Sequence, residues 1–487
     1  MTAERETIVA IATAPGRGGI GVVRMSGPRA REIAAPMLRL RGPMEPGRAQ
    51  FGYLLDVSGG ERGRVGEGRD DSGKVLDEVV VTYFAGPRSY TGEDVVEVAA
   101  HGSPVVLEAI LRGCLAGGGT LAEPGEFTQR AFLSGRLDLT QAEAVNDLIQ
   151  STTLHQARTA ASQMGGAVSR EVLPTKEMLV GLIATMEAGI DFAEDDIDVL
   201  PRAEVMERIS AVMAPLARLE RSYGYGRVVR EGFRLAIVGR PNAGKSSLFN
   251  ALVERERAIV TAAPGTTRDL VTEMIAIEGV PVELIDTAGL RMQGPGAGTL
   301  EEAEVMGIAR SRQAMADADV VLLVVDGTAA LDGEDLAILG GAGGAGSRDA
   351  GGSGGRLLMA LNKSDLFAKG AEAAGLETAK RGRVEVVVTS TKSGEGVAEL
   401  RLAILETVRG TGPVREGGML TNLRQHRAVS EAVGALAEGR AAVAAGLPHE
   451  VVLMDLHRGL RALDELTGTT TTDDILRLIF SSFCIGK

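Results

Sequence analysis

The residues 239–247, "GRPNAGKSS", follow the apolar run "RLAIV" and open the helical stretch "SLFNALV". Their spacing is that of a loop closing round a polyphosphate between a strand and a helix. Gly239 and Gly244 let backbone N–H groups approach the phosphates at a helix N-terminus, with Asn242, Ala243 and Ser247 completing the loop. Lys245 supplies a compact charge for the terminal phosphates, and the Ser246 hydroxyl suits Mg²⁺.

Three further stretches occur in the order such a site requires. "GTTRD", 265–269, places Thr266 and Thr267 in a loop where the Thr267 hydroxyl can complete a Mg²⁺ shell only while a γ-phosphate is present. "DTAG", 286–289, ends a strand, with Asp286 near the metal, Thr287 and Ala288 in the turn, and Gly289 free to offer its N–H to the γ-phosphate. "NKSD", 362–365, ends another strand. There Asn362 and Lys363 flank the base, and Asp365 can accept two hydrogen bonds from a guanine edge that adenine cannot supply. Ser390, Thr391 and Lys392 in "STKSGEG" form a last base-contacting loop. The nucleotide is therefore expected to be GTP. Leu290 stands where Ras-like switches carry a water-orienting Gln, so hydrolysis must recruit other groups. Asn242 could lend its amide oxygen to a monovalent cation, and its spacing equally permits a solvent-facing side chain.

The elements that must position these residues are legible in the pattern. A length of 487 residues implies two to four domains, and an apolar fraction of 44% implies a globular chain. Residues 1–125 mix β-type runs with one amphipathic helix near 104–115 and read as an α+β domain; the polar, Gly-rich stretch 56–74 reads as a long hairpin loop. Helical periodicity fills 126–231, starting from a capping box of Thr140 with Glu143, fading near 222 and broken near 189–201; it returns over 410–487. Between the two helical parts, 232–409 alternates strand and helix as βαβ units do, with a Gly-rich loop at 340–355. The organisation is a helical domain with a P-loop domain inserted into it.

Composition excludes several classes. The start has no apolar h-region, and no run approaches the roughly 18 apolar residues of a spanning helix, so a cytoplasmic protein with no stable membrane insertion is expected. Two cysteines, Cys114 and Cys484, give neither a disulfide framework nor a zinc site. A net charge of −13 and 3% aromatic residues argue against coating nucleic acid through an overall field; RNA would need a local patch or a second protein. Cys484 in "SSFCIGK" stands at the cysteine position of a C-a-a-X box, but Gly486 and Lys487 do not fit a lipidation signal.

Across almost the whole length, "ETIVAIATAPGRGGIGVVRMSG", "YTGEDVVE", "PGEFTQRAFLSGRLDLTQAEAV", "GIDFAEDDID", the four nucleotide motifs and the final "FCIGK" resemble the MnmE (TrmE) tRNA-modification GTPases. The resemblance implies a multidomain α/β and α fold: an N-terminal folate-binding and dimerisation domain, a helical domain, and an inserted Ras-like G domain. It implies a homodimer that forms a heterotetramer with MnmG, a partner dependent on FAD and NADH. Together they would add an aminomethyl-type group to carbon 5 of the wobble uridine of certain tRNAs, using 5-formyl- or methylene-tetrahydrofolate.

By the same resemblance, potassium would be held by Asn242, Thr261, Ala263 and Thr266, Mg²⁺ by Ser246 and Thr267, and Glu304 would position the attacking water. Arg24, Glu97, Arg136 and Lys487 would bind folate, and Cys484 would be required for modification. Arg136 stands where the family often has Lys, and "MQGPGAGTL" lengthens the switch before Glu304. A regulatory GTPase switch in ribosome assembly would use the same G-domain motifs, but it has no need of "FCIGK" or the N-terminal block.

Overall fold

The computed structural model describes residues 6–56, 74–191, 201–253, 272–286, 315–343, 356–367, 384–409, 418–469 and 473–486. They fall into two compact units, Met1–Asn146 with Asp464–Lys487, and Asp147–Leu463.

The first unit is built on a seven-stranded sheet. Its elements are β1 (Ile8–Ile11), β2 (Gly18–Ser26), α1 (Ala30–Ala34), β3 (Leu38–Leu40), β4 (Ala49–Leu55), β5 (Val75–Phe84), β6 (Val95–Gly102), α2 (Pro104–Ala116), β7 (Thr120–Leu121), α3 (Glu126–Leu133) and α4 (Leu139–Gln150). The strand order is β3-β4-β5-β6-β2-β1-β7, antiparallel except for the β1–β7 pair. Because side chains alternate along each strand, Val23, Met25, Val79, Val81, Val96 and Val98 share one buried face with Ile33 of α1 and Leu107, Ile110 and Cys114 of α2. The amphipathic helix expected near 104–115 is α2. Asp56 N–H bonds to Lys74 C=O at 2.9 Å, which closes the chain across the base of the expected hairpin loop; 57–73 lie outside the described residues.

The opposite face of the same strands carries Arg24 and Glu97, with Ile8 and Ala10 packed under Phe127 of α3. The helix Asp473–Ser481 belongs to this unit. Its Leu476 and Phe480, with Phe483, pack on Leu139, Ala142 and Val145 of α4. One expectation is corrected at α4. The capping box there is made by Asp138, whose Oδ1 accepts from Gln141 N–H at 2.9 Å, while Gln141 Oε1 accepts from Asp138 N–H at 3.0 Å. Thr140 and Glu143 already lie inside the helix and are buried, because an Asp with Gln three residues on satisfies the first free N–H groups a step earlier.

The second unit contains α5 (Leu154–Met164), α6 (Ala167–Asp191), α7 (Arg202–Glu231), β8 (Phe233–Val238), α8 (Lys245–Val253), β9 (Thr272–Ile277), β10 (Val280–Asp286), β11 (Val320–Asp326), α9 (Gly333–Gly343), β12 (Arg356–Asn362), β13 (Glu385–Val388), α10 (Val397–Arg409), α11 (Leu423–Ala444) and α12 (His449–Thr467). The long helix α7 runs nine residues past the fading of its sequence period, up to the strand that opens the G domain. It packs along α11, with Ser430 Oγ donating to Glu220 Oε1 at 2.6 Å. The Gly-rich stretch expected as a loop from 340 begins with the last turn of α9, whose Ile338 and Leu339 pack on the sheet; 344–355 lie outside the described residues.

The G-domain sheet has the order β13-β12-β11-β8-β10-β9, parallel except for β9. Leu235, Ile237, Leu322, Val324, Leu358 and Ala360 enter one core, while Ala236, Val238, Leu323, Val325, Met359 and Leu361 enter the other. Both faces are therefore covered, which is why these strands read as continuous apolar runs. With the faces filled, ligand chemistry is left to the carboxyl ends of the strands.

The antiparallel strand β9 was not anticipated. Its turn to β10 has Glu278 at φ 50° and Gly279 at φ 80°, the two left-handed residues of a tight hairpin, without the Asn-Gly pair that usually signals one. The hairpin tip is seated on the helical segment: Thr153 Oγ1 donates to Gly279 C=O at 2.6 Å, and a Cβ at residue 279 would lie 2.7 Å from His155 Cβ. Gly279→Ala is expected to cost about 1–3 kcal/mol, from left-handed strain and the His155 clash. Thermal denaturation of the full chain checks it; an unchanged midpoint would contradict the seating.

Candidate functional site

The loop after β8 is shaped by contacts that exclude side chains at its glycines. Gly239 has φ 134° and Gly244 φ 98°; a Cβ on the first would strike the Val324 carbonyl, and one on the second the Asn362 amide. Asn242 adopts φ 65°, a conformation Asn tolerates better than most residues, and its side chain is exposed. Lys245 begins α8 and is buried, its Nζ donating to Gly239 C=O at 2.6 Å and to Arg240 C=O at 2.7 Å. Ser246 and Ser247 follow it on the exposed side of the first turn.

Asn362, at the end of β12, is fully buried. Its Nδ2 donates to Ala243 C=O at 3.0 Å, and its Oδ1 accepts from Thr391 N–H at 3.3 Å and from Thr389 Oγ1 at 3.4 Å. One amide thus joins the phosphate loop, the "NKSD" turn and the "STK" loop. Lys363 is left-handed at φ 67° and donates Nζ to Asp326 Oδ2 at 2.6 Å. Asp326 Oδ1 accepts from Thr328 N–H at 3.0 Å and Thr328 Oγ1 at 2.6 Å. Burial works against ionisation of Asp326, but the bonds from Lys363 and Thr328 prevail and hold its carboxyl below the usual range. Asp365 is exposed and accepts from Ser390 Oγ at 2.7 Å; Lys392 is exposed.

The structure therefore brings Asn242, Ala243, Gly244, Lys245, Ser246, Ser247, Asn362, Lys363, Asp365, Ser390, Thr391 and Lys392 to the carboxyl ends of β8, β12 and β13. Asp286 closes β10 beside them. Thr261, Ala263, Thr266, Thr267, Thr287, Ala288, Gly289 and Glu304 lie outside the described residues. Sequence reasoning passed over Asp326 and Arg240. The Arg240 guanidinium pairs with Asp332 at 3.1 Å and with the buried Asp335 at 2.9 Å, whose carboxyl burial pushes up.

The first unit holds a second polar cluster. Arg24 and Glu97 are cross-strand partners on β2 and β6, and Arg24 Nε donates to Glu97 Oε1 at 2.8 Å. The Arg24 guanidinium lies 5.7 Å from the ring centres of both Tyr90 and Phe127. Burial pushes the Tyr90 phenol up, and its hydroxyl is 2.9 Å from Thr128 Oγ1. The tail reaches the same place. Gly125 N–H bonds to Cys484 C=O at 3.5 Å, Gly486 at φ 91° lies against Ile11 and Ala12 of the strand edge, and Arg24 Nη1 donates to Gly486 C=O at 3.4 Å. Beneath, Arg130 is buried between Glu93 at 3.0 Å and Glu126 at 2.8 Å. Arg136 is exposed on the loop after α3, and Lys487 lies outside the described residues.

Residues 7–136 match the model of the GTP-binding protein TrmE N-terminus, and 139–484 that of the MnmE helical domain. A tRNA modification GTPase MnmE of Koribacter versatilis is 54% identical over 99% of this chain and 99% of its own length. The chain belongs to the MnmE family of tRNA modification GTPases. An MnmE of Pseudomonas savastanoi pv. phaseolicola is 40% identical over the whole of both chains. The G domain of the T. maritima FeoB iron transporter covers 36% of this chain and 98% of its own, at 29% identity and a TM-score of 0.25.

Within the chain the two cysteines differ sharply. Cys114 is buried against Met25 and burial pushes its thiol up to about 12, whereas Cys484 is exposed. At pH 8 only the thiolate alkylates, so iodoacetamide is expected to label Cys484 and spare Cys114 until the chain is unfolded. Peptide mass mapping checks this; equal labelling of both would contradict the packing of α2.

Proposed function

We propose that GTP hydrolysis in this tRNA modification GTPase depends on potassium. In this reading it serves the addition of an aminomethyl or carboxymethylaminomethyl group to carbon 5 of a wobble uridine, with a tetrahydrofolate one-carbon unit as donor and a partner resembling MnmG. The observation that carries the reading is the meeting of the tail with the Arg24–Glu97 pair, on the sheet face that α3 only partly covers.

That cluster has the chemistry a folate needs. The guanidinium, paired with a carboxylate, stands beside the partly exposed Tyr90 ring, so a flat heterocycle can stack there while its edge forms charge-assisted hydrogen bonds. Glu97 holds Arg24 in one orientation, Arg136 and Lys487 are proposed to contact the ligand, and Cys484 is assigned to the modification step. Tetrahydrofolate would supply the one-carbon unit. A regulatory switch in ribosome assembly would share the nucleotide site but gives no reason for a charge pair to meet the tail in this chain.

In the nucleotide site, Lys245 and the N–H groups at the start of α8 would bind the phosphates, Ser246 and Thr267 would hold Mg²⁺, and Asp365 would read guanine. Asn242, Thr261, Ala263 and Thr266 would hold potassium, which supplies positive charge where an arginine finger would otherwise stand. Glu304 would orient the attacking water. The apolar side chains Phe51, Tyr53 and Val80, exposed together on β4 and β5, support a homodimer through the first unit. With no helix among the described residues long and apolar enough to cross a membrane, a cytoplasmic location is proposed.

GTPase rates in potassium and in sodium at equal ionic strength are expected to differ by at least about tenfold, and Asn242→Ala to remove the difference. Equal rates in the parent would end the cation mechanism. Cys484→Ser is expected to keep the GTPase rate and lose the modified nucleoside when assayed with the partner and tRNA; a fully active variant would detach the tail from the chemistry.

A further inference from the structure

We propose that Asp326, which lies outside all the nucleotide motifs, is a positioning residue for guanine recognition: it fixes the turn that presents Asp365 by holding the Lys363 ammonium across the ends of β11 and β12. The inference rests on the guanine site proposed above. Asp326 and Asn362 are register partners at the last position of their two parallel strands, so the residues that follow each strand diverge from one point. Three contacts keep them together. Gly327 N–H bonds to Asn362 C=O at 3.0 Å. The Phe367 ring covers Gly327 so closely that a Cβ there would strike it. The third is Lys363 Nζ to Asp326 Oδ2 at 2.6 Å.

The third contact differs from the others in kind. Lys363 must sit left-handed to begin the 3-10 turn Ser364–Leu366, a conformation that costs an L-residue free energy unless its surroundings determine it. Its ammonium and the carboxylate are 31% and 22% exposed, enough desolvated for the pair to outlast screening and open enough for a nucleotide to reach the lysine. The other side of the turn is fixed by Ser390 Oγ on Asp365. Asp365 is thus positioned from two directions, through its own carboxylate and through the backbone that Lys363 anchors. Thr328 completes the arrangement by occupying the second oxygen of Asp326, which leaves the first directed at Lys363.

The test is a titration of the full chain with N-methylanthraniloyl-GDP by fluorescence, on the parent, D326N, K363M and the double variant. D326N is expected to raise Kd about tenfold, and the double variant to bind no more weakly than K363M alone, because the two side chains act as one unit. D326N within twofold of the parent would overturn the proposal, as would a double variant whose loss is the product of the two single losses. Thr328→Val removes a hydroxyl bond to Asp326 and leaves Lys363 in place. With the Thr328 N–H still bonded to Asp326 Oδ1, its loss of affinity is expected to be smaller than that of D326N; a loss equal to that of D326N would make Asp326 a mere turn cap. In steady state D326N is expected to raise KM for GTP at unchanged kcat, and the reverse split would count against positioning. Should D326N fail to melt as a folded chain, D326S, which keeps a hydroxyl acceptor for the Thr328 N–H, carries the same comparison. A K363M variant indistinguishable from the parent would overturn this inference alone, whereas a parent that does not bind the probe would overturn the guanine site and take this inference with it.

Discussion

The buried side chain of Asn362 is the constraint on which the nucleotide site depends. Its amide is fully removed from water, so each of its polar atoms must find a partner within the protein, and those partners belong to the phosphate loop and the "STK" loop, which the amide joins to its own "NKSD" turn. Shortening this side chain would leave the Ala243 carbonyl without its donor, at a cost of about 1–3 kcal/mol, and would loosen all three loops together. The need for Gly244 follows from the same contact, since the amide occupies the space a Cβ would take. Loop geometry that looks like a property of the glycines is set jointly by the strand they face.

The first unit solves a different problem, that of placing charge on a sheet whose other face is a hydrocarbon core. Arg24 projects from between Val23 and Met25, both fully buried on the opposite face. It is tolerated because Glu97 answers its charge from the adjacent strand and two aromatic rings cover its planar surface. Deeper still, Arg130 shares its charge between Glu93 and Glu126 and donates to the Glu6 carbonyl at 2.9 Å, tying α3 to the strand edge. The helix Asp473–Ser481 then packs Phe480 against Gly125, at the start of α3, where a left-handed glycine leaves room for the Phe480 carbonyl. The tail meets Arg24 because packing of Leu476, Phe480 and Phe483 on α4 brings it there.

What was legible in the sequence follows from which forces are local. The strands β8, β10, β11 and β12 announce themselves because both their faces are buried, and the phosphate loop because glycine spacing is a backbone requirement. The strand β9 escaped because its hairpin turns on Glu278 and Gly279, a pair that becomes a turn only when Thr153 and His155 receive its tip. The cap of α4 was misplaced by two residues because Thr140 with Glu143 and Asp138 with Gln141 offer the same pattern, and only burial of the first pair decides between them. Arg24, Glu97 and the tail were gathered by family resemblance; no periodicity in the chain joins residues 462 positions apart. Asp326 carried no signal at all, since an acidic residue after a strand is ordinary until its partner is known.

Both sites share one further property, which sets how tightly they could hold a ligand. Lys245 is satisfied by two carbonyls, Lys363 by Asp326, Asp365 by Ser390, and Arg24 by Glu97 and the Gly486 carbonyl. A ligand entering either site therefore exchanges partners with charged groups that are already paired, and its affinity is the difference between the new bonds and the old. The compensation is order: side chains fixed in this way lose little rotamer freedom on binding, which otherwise costs about 0.5–1.5 kcal/mol for each one immobilised. Where the partner is a neutral carbonyl, as for Lys245, a phosphate wins the exchange easily. Where it is a carboxylate, as for Lys363 and Arg24, the pair persists beside the ligand, so these two residues shape their sites more than they supply charge to them.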